Sequence, residues 1–210
     1  MSEERARKIK LLLMDVDGVM TDGTLWFFPA PAGAQLETGS AAGKFADAGG
    51  YAICSASIVE AKGFNAHDGT GISLARLGGI KTGLITKRIS DTVALRARDL
   101  RLDHVHQGVA DKLTVFREIL RREKLSAEQA AYIGDDIIDL PVMQHCGLAI
   151  AVPNSRAEVL QAAHFVTQQP GGHGAVRDAV EYILKAQGKL QKLMDNYRQG
   201  RSPKKTAGKK

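Results

Sequence analysis

Residues 9–19, IKLLLMDVDGV, decide the fold. Ile9 to Met14 is a short, nearly continuous apolar run that stops at Asp15-Val16-Asp17-Gly18. A run without polar alternation fits a strand covered on both faces, the condition of a parallel sheet. In extended chain the side chains of residues i and i+2 leave on the same side, so Asp15 and Asp17 emerge together at the strand's carboxyl end. Alone, such a pair is equally a polar turn, and its meaning depends on what the rest of the chain brings beside it.

A second stretch of the same kind is AAYIGDDIID, residues 130–139. The apolar run Ala130 to Ile133 ends in Gly134-Asp135-Asp136, with Asp139 four residues after Asp135. Parallel topology carries both acidic clusters to one sheet edge. Crowded carboxylates repel and raise one another's pKa, and a hard cation with oxygen ligands relieves this; Mg²⁺ is expected rather than Ca²⁺. Thr86 ends a third apolar run, Ile80 to Ile85, and Lys112 opens a helical stretch behind Asp111. Singly, Thr86 reads as a capping residue and Lys112 as a solvated charge. In this order along one chain, they read as two contacts for phosphoryl oxygens.

Strand and helix alternate through the remainder. Ser90 to Leu100, Asp111 to Lys124, Asp139 to His145, Ala157 to Ala162 and Ala175 to about Lys185 read as helices. His104 to Gln107, Leu148 to Val152 and Phe165-Val166 read as strands, and Asp68-Gly69-Thr70-Gly71 as a turn before a short helix, Ile72 to Leu77. Repeated units of this length imply right-handed crossovers and an α/β fold, a mostly parallel sheet with helices on both faces and ligands outside the strands' carboxyl ends. Leu25 to Phe28 and Ile53 to Val59 are β-prone and flank a Gly/Ala/Pro-rich stretch, the pattern of a long hairpin flap at about 24–66.

The pI near 9.4 raises the question of a nucleic-acid partner. From Lys185 onward there are nine Lys/Arg and one acidic residue, which leaves 20 basic and 22 acidic residues before it. The body is slightly acidic, so the charge belongs to a basic tail, 191–210, expected to be flexible, and no nucleic-acid partner is expected. Cys54 and Cys146 are too few and too far apart to staple the chain or ligate a metal. No apolar run approaches a signal core or a membrane span, and a cytoplasmic protein is expected. One domain over residues 1–190 accounts for the length.

The set Asp15-Val16-Asp17-Gly18-Val19, Thr86, Lys112 and Gly134-Asp135-Asp136-Ile137-Ile138-Asp139 resembles the haloacid dehalogenase-like hydrolases. More narrowly, Asp15 to Gly23, Phe64 to Gly71, Gln107 to Lys112, Tyr132 to Asp139 and Gly171 to Arg177 are similar to the 3-deoxy-D-manno-octulosonate 8-phosphate phosphatases. The resemblance implies a Rossmann-like, doubly wound domain with a β-hairpin flap in place of a large cap domain. It implies Asp15 as nucleophile, Asp17 as general acid/base, and Mg²⁺ held by the Asp15 carboxylate, the Asp17 backbone carbonyl and Asp135. Asp136 and Asp139 would orient metal-bound water and Lys112, while Lys112 and Thr86 hold phosphoryl oxygens.

The implied substrate is an acid sugar phosphate. Arg88 matches the family's arginine after Thr-Gly, and its guanidinium fork suits a sugar-acid carboxylate. Lys87 replaces the family's glycine, a long cation that either crowds the substrate or adds an anion contact. His67, Asp68 and Gly69 are expected to line the pocket at a subunit boundary, with Arg177 near the site. A homotetramer whose subunits complete one another's sites is implied too. Two alternatives remain: a phosphatase for a nonulosonate 9-phosphate, and a non-catalytic sugar-phosphate-binding protein on the same fold.

Overall fold

The computed structural model describes residues 2–29, 51–52 and 58–199. Helix α1 (Ser2–Arg7) leads into β1 (Leu11–Met14), and β2 (Trp26–Pro29), β3 (Tyr51–Ala52) and β4 (Ile58–Ala61) follow. Next come α2 (Ala66–Leu77), β5 (Lys81–Ile85), β6 (Arg88–Ile89), α3 (Asp91–Leu100), β7 (His104–His106) and α4 (Lys112–Glu123). The chain continues through β8 (Ala130–Gly134), α5 (Leu140–Met143), β9 (Leu148–Ala151), α6 (Ala157–Ala162), β10 (Phe165–Val166), α7 (Ala175–Ala186) and α8 (Leu190–Arg198).

Six strands form one parallel sheet in the order β10-β9-β8-β1-β5-β7. Every side chain of β1 is buried, because the pleat feeds two cores at once. Leu12 and Met14 join Ile72 and Leu74 of α2, Val93 of α3 and Val180 of α7 on one face. Leu11 and Leu13 join Phe116 of α4, Val142 of α5 and Val159 of α6 on the other. The chain winds from β1 outward to β5 and β7, then returns to β8 on the opposite side. The crevice at that reversal opens beyond the carboxyl ends of β1 and β8.

β2 pairs antiparallel with β4 as a separate ribbon, and its Trp26, Phe27 and Phe28 are exposed. β3 pairs in parallel with β6. The expected Gly/Ala-rich flap tip and Cys54 lie outside the described residues. Cys146 is buried, which pushes its thiol up to about 12 and leaves it protonated.

Three expectations change. Asp68-Gly69-Thr70-Gly71 is not a turn but the start of α2, whose cap Asn65 accepts from the His67 N–H at 2.8 Å. The glycines there permit close packing: a Cβ on Gly71 would lie 2.8 Å from Arg177 Cα in α7. The stretch Asp139 to His145, expected to be one helix, is a 3₁₀ turn, Ile137–Asp139, followed by the single-turn α5. The basic tail begins as helix: after Gly188, at φ 67°, α8 packs Leu190, Leu193 and Met194 on the larger core. Helix α1, which has no long apolar period to announce it, is anchored by the Arg5 guanidinium donating to Gly147 O at 2.7 Å and by buried Ala6.

Gly71→Val, which forces a branched side chain into the α2–α7 contact, is expected to destabilise the protein by about 1–3 kcal/mol. Gly63→Ala, where a Cβ meets nothing within 4 Å, is expected to stay within about 0.5 kcal/mol of the parent. Denaturant midpoints of both variants test the assignment.

Candidate active site

Three strand ends and one helix start converge at the carboxyl edge of the sheet. The β1–β8 ladder extends one step past β1, where Asp15 N–H donates to Ile133 O at 3.0 Å, so Asp15 leaves the sheet in a fixed direction. Its Oδ1 accepts from the Val16 N–H at 2.7 Å. Thr86 extends β5 in the same way, its N–H donating to His106 O at 2.9 Å. Asp111 caps α4 by accepting from the N–H groups of Leu113 and Thr114, which places Lys112 in the first turn with its side chain directed inward.

Lys112 is buried, and its ammonium lies 2.7 Å from Asp15 Oδ2 and 2.8 Å from Asp139 Oδ1. Asp139, fully buried, has both oxygens engaged. Oδ1 also accepts from the Tyr132 hydroxyl at 2.7 Å, and Oδ2 from the N–H groups of Asp135 at 3.1 Å and Asp136 at 3.3 Å. Burial works against the Lys112 charge, yet Asp15 and Asp139 outweigh it and hold its pKa above the usual lysine value. Burial, with the neighbouring Asp139 charge added, drives Asp15 up to about 7 although Lys112 opposes it. Burial together with Asp15 and Asp139 drives Asp135 up to about 8.

One ligand oxygen each from Asp15, Asp135 and Asp139 lies within 4.8 Å of the others. Asp135 Oδ1 is buried and has no hydrogen-bond partner among the described residues. Its Oδ2 lies against the backbone of Gly18, where a Cβ would come within 2.1 Å and φ is +88°. An all-oxygen set with an unpartnered carboxylate oxygen fits a hard divalent cation. The Asp139 oxygens are taken by Lys112, Tyr132 and two amides and the Asp15 oxygens by the Val16 N–H and Lys112, so Asp135 Oδ1 is the oxygen of the trio left without a hydrogen-bond partner among the described residues.

Asp17 stands apart from this trio. Its Oδ1 accepts from the ammonium of Lys62, and Arg88 Nε lies 3.5 Å from its Oδ2. Lys62 also lies 3.2 Å from Glu60 Oε1. Arg88 Nε and Nη2 are buried without a hydrogen-bond partner. Lys87, half-buried, is next to Arg88 at the end of β5.

The remaining expected site residues have other duties. Asp136 is exposed and caps the 3₁₀ turn by accepting from the Ile137 N–H at 2.7 Å. Asp68 is buried beneath the start of α7, where it accepts from the Arg177 N–H at 2.9 Å. It caps α7, and burial raises its pKa. Gly69 packs on α3, a Cβ there lying 2.9 Å from Arg96 Nη2, and His67 is exposed on α2. The Arg177 guanidinium pairs with Glu181 one turn along its own helix.

Residues not anticipated from the sequence are Lys62, Glu60, Tyr132 and Asn154. Asn154 donates from Nδ2 to Gly18 O at 2.9 Å and accepts from the Gly171 N–H at 2.7 Å, tying the Asp15 loop to the Gly171 loop. The alternation Glu60, Lys62 at the end of a β-prone run was the available signal for two charges on one side of a strand. Tyr132 gave none, since a tyrosine in a buried strand is ordinary.

Because burial holds the Asp15 and Asp135 pKa values above the unfolded value near 3.8, folding favours their protonated forms. Their contribution to stability is present below about pH 4 and is lost as pH rises through about 7 to 8. A cation that binds the ionised pair opposes that loss. Saturating Mg²⁺ is therefore expected to raise the unfolding temperature more at about pH 8 than at about pH 6. Asp135→Asn is expected to remove most of the increment; an increment indifferent to pH and to this substitution places the cation elsewhere.

A family model described as haloacid dehalogenase-like hydrolase matches residues 85–179. The 3-deoxy-D-manno-octulosonate 8-phosphate phosphatase of Yersinia pestis is 39% identical over 188 residues, 90% of this chain and 86% of that protein. The enzyme of the same name from Escherichia coli K12 is 36% identical over 186 residues, 89% of this chain and 85% of that protein. The Moraxella catarrhalis enzyme of that name, solved with a magnesium ion, a phosphate ion and KDO, superposes with a TM-score of 0.78 at 31% identity, covering 93% of this chain and 97% of that one. With identity of this level extending over nearly the whole chain, and with the fold shared, this protein belongs to the 3-deoxy-D-manno-octulosonate 8-phosphate phosphatase family of haloacid dehalogenase-like hydrolases.

Proposed function

We propose that the protein hydrolyses 3-deoxy-D-manno-octulosonate 8-phosphate to the free sugar acid and phosphate, a step in making lipopolysaccharide precursor. The observation that carries the reading is the buried Lys112 ammonium bridging Asp15 and Asp139 beside the unpartnered Asp135 Oδ1. A binding protein gains nothing from holding three carboxylates this close. A phosphotransfer enzyme needs one of them as nucleophile and the others to hold a cation.

Asp15 attacks phosphorus through a carboxylate oxygen, and the bond from phosphorus to the sugar oxygen breaks. Asp17 gives its proton to that departing oxygen, then takes one from the water that hydrolyses the phosphate carried on Asp15. Thr86, just past the end of β5, and Lys112, in the first turn of α4, hold phosphoryl oxygens. Asp139 fixes Lys112 and the Asp135 amide. The Asp15 and Asp135 carboxylates, with the Asp17 backbone carbonyl, would hold Mg²⁺, which supplies charge neutralisation between an anionic nucleophile and an anionic phosphate monoester.

At the sugar end, Arg88 supports an acid sugar over a neutral one, because its buried Nε and Nη2 make no hydrogen bond and only long ion pairs, 3.5 Å to Asp17 and 3.8 Å to Glu60. A planar carboxylate can satisfy two such donors at once. Lys87 adds a second cation next to it in sequence. The proposal includes a homotetramer: Trp26 and Phe28 on one face of the ribbon, and Phe27 and Ile58 on the other, are exposed apolar side chains that contact with other copies would cover. It also includes a cytoplasmic location, in keeping with a multiply charged substrate. Among the described residues no helix is long and apolar enough to cross a membrane.

Phosphate release from 3-deoxy-D-manno-octulosonate 8-phosphate, a nonulosonate 9-phosphate and hexose phosphates is expected to favour the first in kcat/KM by roughly 10²-fold or more. Comparable efficiencies for the nonulosonate would retain the chemistry and replace the substrate. Asp15→Asn is expected to lower turnover at least about 10⁴-fold while the protein stays folded. Phosphate release at the parent rate from that variant would remove Asp15 as nucleophile.

A further inference from the structure

We propose that Lys62 is the positioning residue for the proton-transferring carboxylate of Asp17, coupling the ribbon to the chemistry. The inference rests on the reading of Asp17 as acid and base. Lys62 directly follows β4, and its side chain is 0% exposed. Isolating an ammonium from water costs several kcal/mol unless it is paired. Here its Nζ donates to Asp17 Oδ1 and lies 3.2 Å from Glu60 Oε1. Arg88 closes the group from the other side, with Nε 3.5 Å from Asp17 Oδ2 and Nη2 3.8 Å from Glu60 Oε2.

Two carboxylates and two cations alternate in this group, so it is neutral once Asp17 has given up its proton. Glu60 and Lys62 reach it together because residues two apart in extended chain share a side. The four contacts are unequal. Lys62 makes a hydrogen bond to Asp17, whereas the Arg88 nitrogens facing it have no hydrogen-bond partner. Among the described residues, then, it is Lys62 that fixes the rotation of the Asp17 carboxylate.

Holding Oδ1 leaves Oδ2 to carry the proton. As the bond from phosphorus to the sugar oxygen breaks, its electron pair stays on that oxygen, which takes the proton from Asp17. The carboxylate so formed already has one oxygen on an ammonium. Without Lys62 only the longer Arg88 ion pair restrains the carboxylate, and the proton is delivered from the wrong place for much of the time. An apolar residue at position 62 could fill the base of the ribbon equally well, but it could not orient an oxygen.

The test compares leaving groups, because an acid matters for an alkoxide and hardly at all for p-nitrophenolate, which departs without a proton. kcat/KM reports the steps up to phosphoryl transfer to Asp15. In Lys62→Met it is expected to fall about 10- to 100-fold for 3-deoxy-D-manno-octulosonate 8-phosphate. For p-nitrophenyl phosphate it is expected to fall by less than about threefold. The double variant Glu60→Gln/Lys62→Met, which leaves one Asp17–Arg88 pair and no surplus buried charge, is expected to show the same bias if the single variant does not fold. Equal losses on both substrates, or none on either, overturn the proposal and reduce Lys62 to a brace for the ribbon. Asp17→Asn separates the two levels of inference: a biased Asp17→Asn beside an unbiased Lys62→Met overturns the role of Lys62 alone. An unbiased Asp17→Asn overturns the acid reading, and this proposal with it.

Discussion

Placing Asp15, Asp135 and Asp139 together at a buried sheet edge is an electrostatic problem, and the Lys112 ammonium is the protein's own partial solution. It contacts Asp15 and Asp139 but does not reach Asp135, whose Oδ1 is left without a partner. Removing one member of such a buried group typically costs about 3–5 kcal/mol, because the charge left behind can neither be solvated nor paired. One positive charge against three carboxylates leaves a deficit. Its size is visible in how far burial and mutual repulsion lift Asp15 and Asp135, to about 7 and about 8. A divalent cation closes the deficit, so the same crowding that strains the fold creates its affinity for metal.

That crowding is tolerable only if the backbone around it cannot relax, and the loops are built accordingly. Asn154 bonds both the Gly18 carbonyl and the Gly171 amide, and the Gly172 N–H donates to Val19 O at 3.0 Å. The two loops approach so closely that a Cβ on Gly171 would fall 1.7 Å from Gly18 O. The segment Gly171-Gly172-His173-Gly174 is therefore a buttress for the Asp15 loop. Asp68, reaching from α2 to cap α7, fixes where that buttress ends.

This explains what was legible in the sequence. β1 and β8 could be read because strands buried on both faces are apolar without interruption, and the acids at their ends stood out by contrast. Asp15, Lys112 and Asp139 could be placed together because parallel topology brings strand ends to one edge whatever the details of packing. The contacts of Asp68, Gly69 and Arg177 were illegible for a common reason: all three meet another helix, Asp68 and Arg177 where α2 crosses α7 and Gly69 against α3. An Asp-Gly pair looks like a turn unless one knows that a second helix must pass within contact of it. Asp136, one residue from Asp135, faces solvent because the 3₁₀ turn reverses direction there. Lys62 and Glu60 were missed since a charged pair on a strand is normally solvated; only the ribbon's return across the sheet edge buries it.

In the proposed mechanism the arrangement divides the site by origin. The phosphate end is assembled from β1, β5, β8 and the start of α4, elements fixed by the two cores, and its geometry is independent of which sugar is attached. The sugar end is assembled from the ribbon and from Arg88, at the margin of the sheet, where β3 runs beside β6. Residues there can change without disturbing the carboxylate trio, which is how Lys87 can stand in place of a glycine while Asp15, Lys112 and Asp139 keep their contacts. Asp17 belongs to both halves: its backbone follows Asp15 past the end of β1, and its carboxylate is held by a lysine from the ribbon. Proton transfer to the leaving sugar is thus the step at which the recognition end and the chemical end of the site must agree.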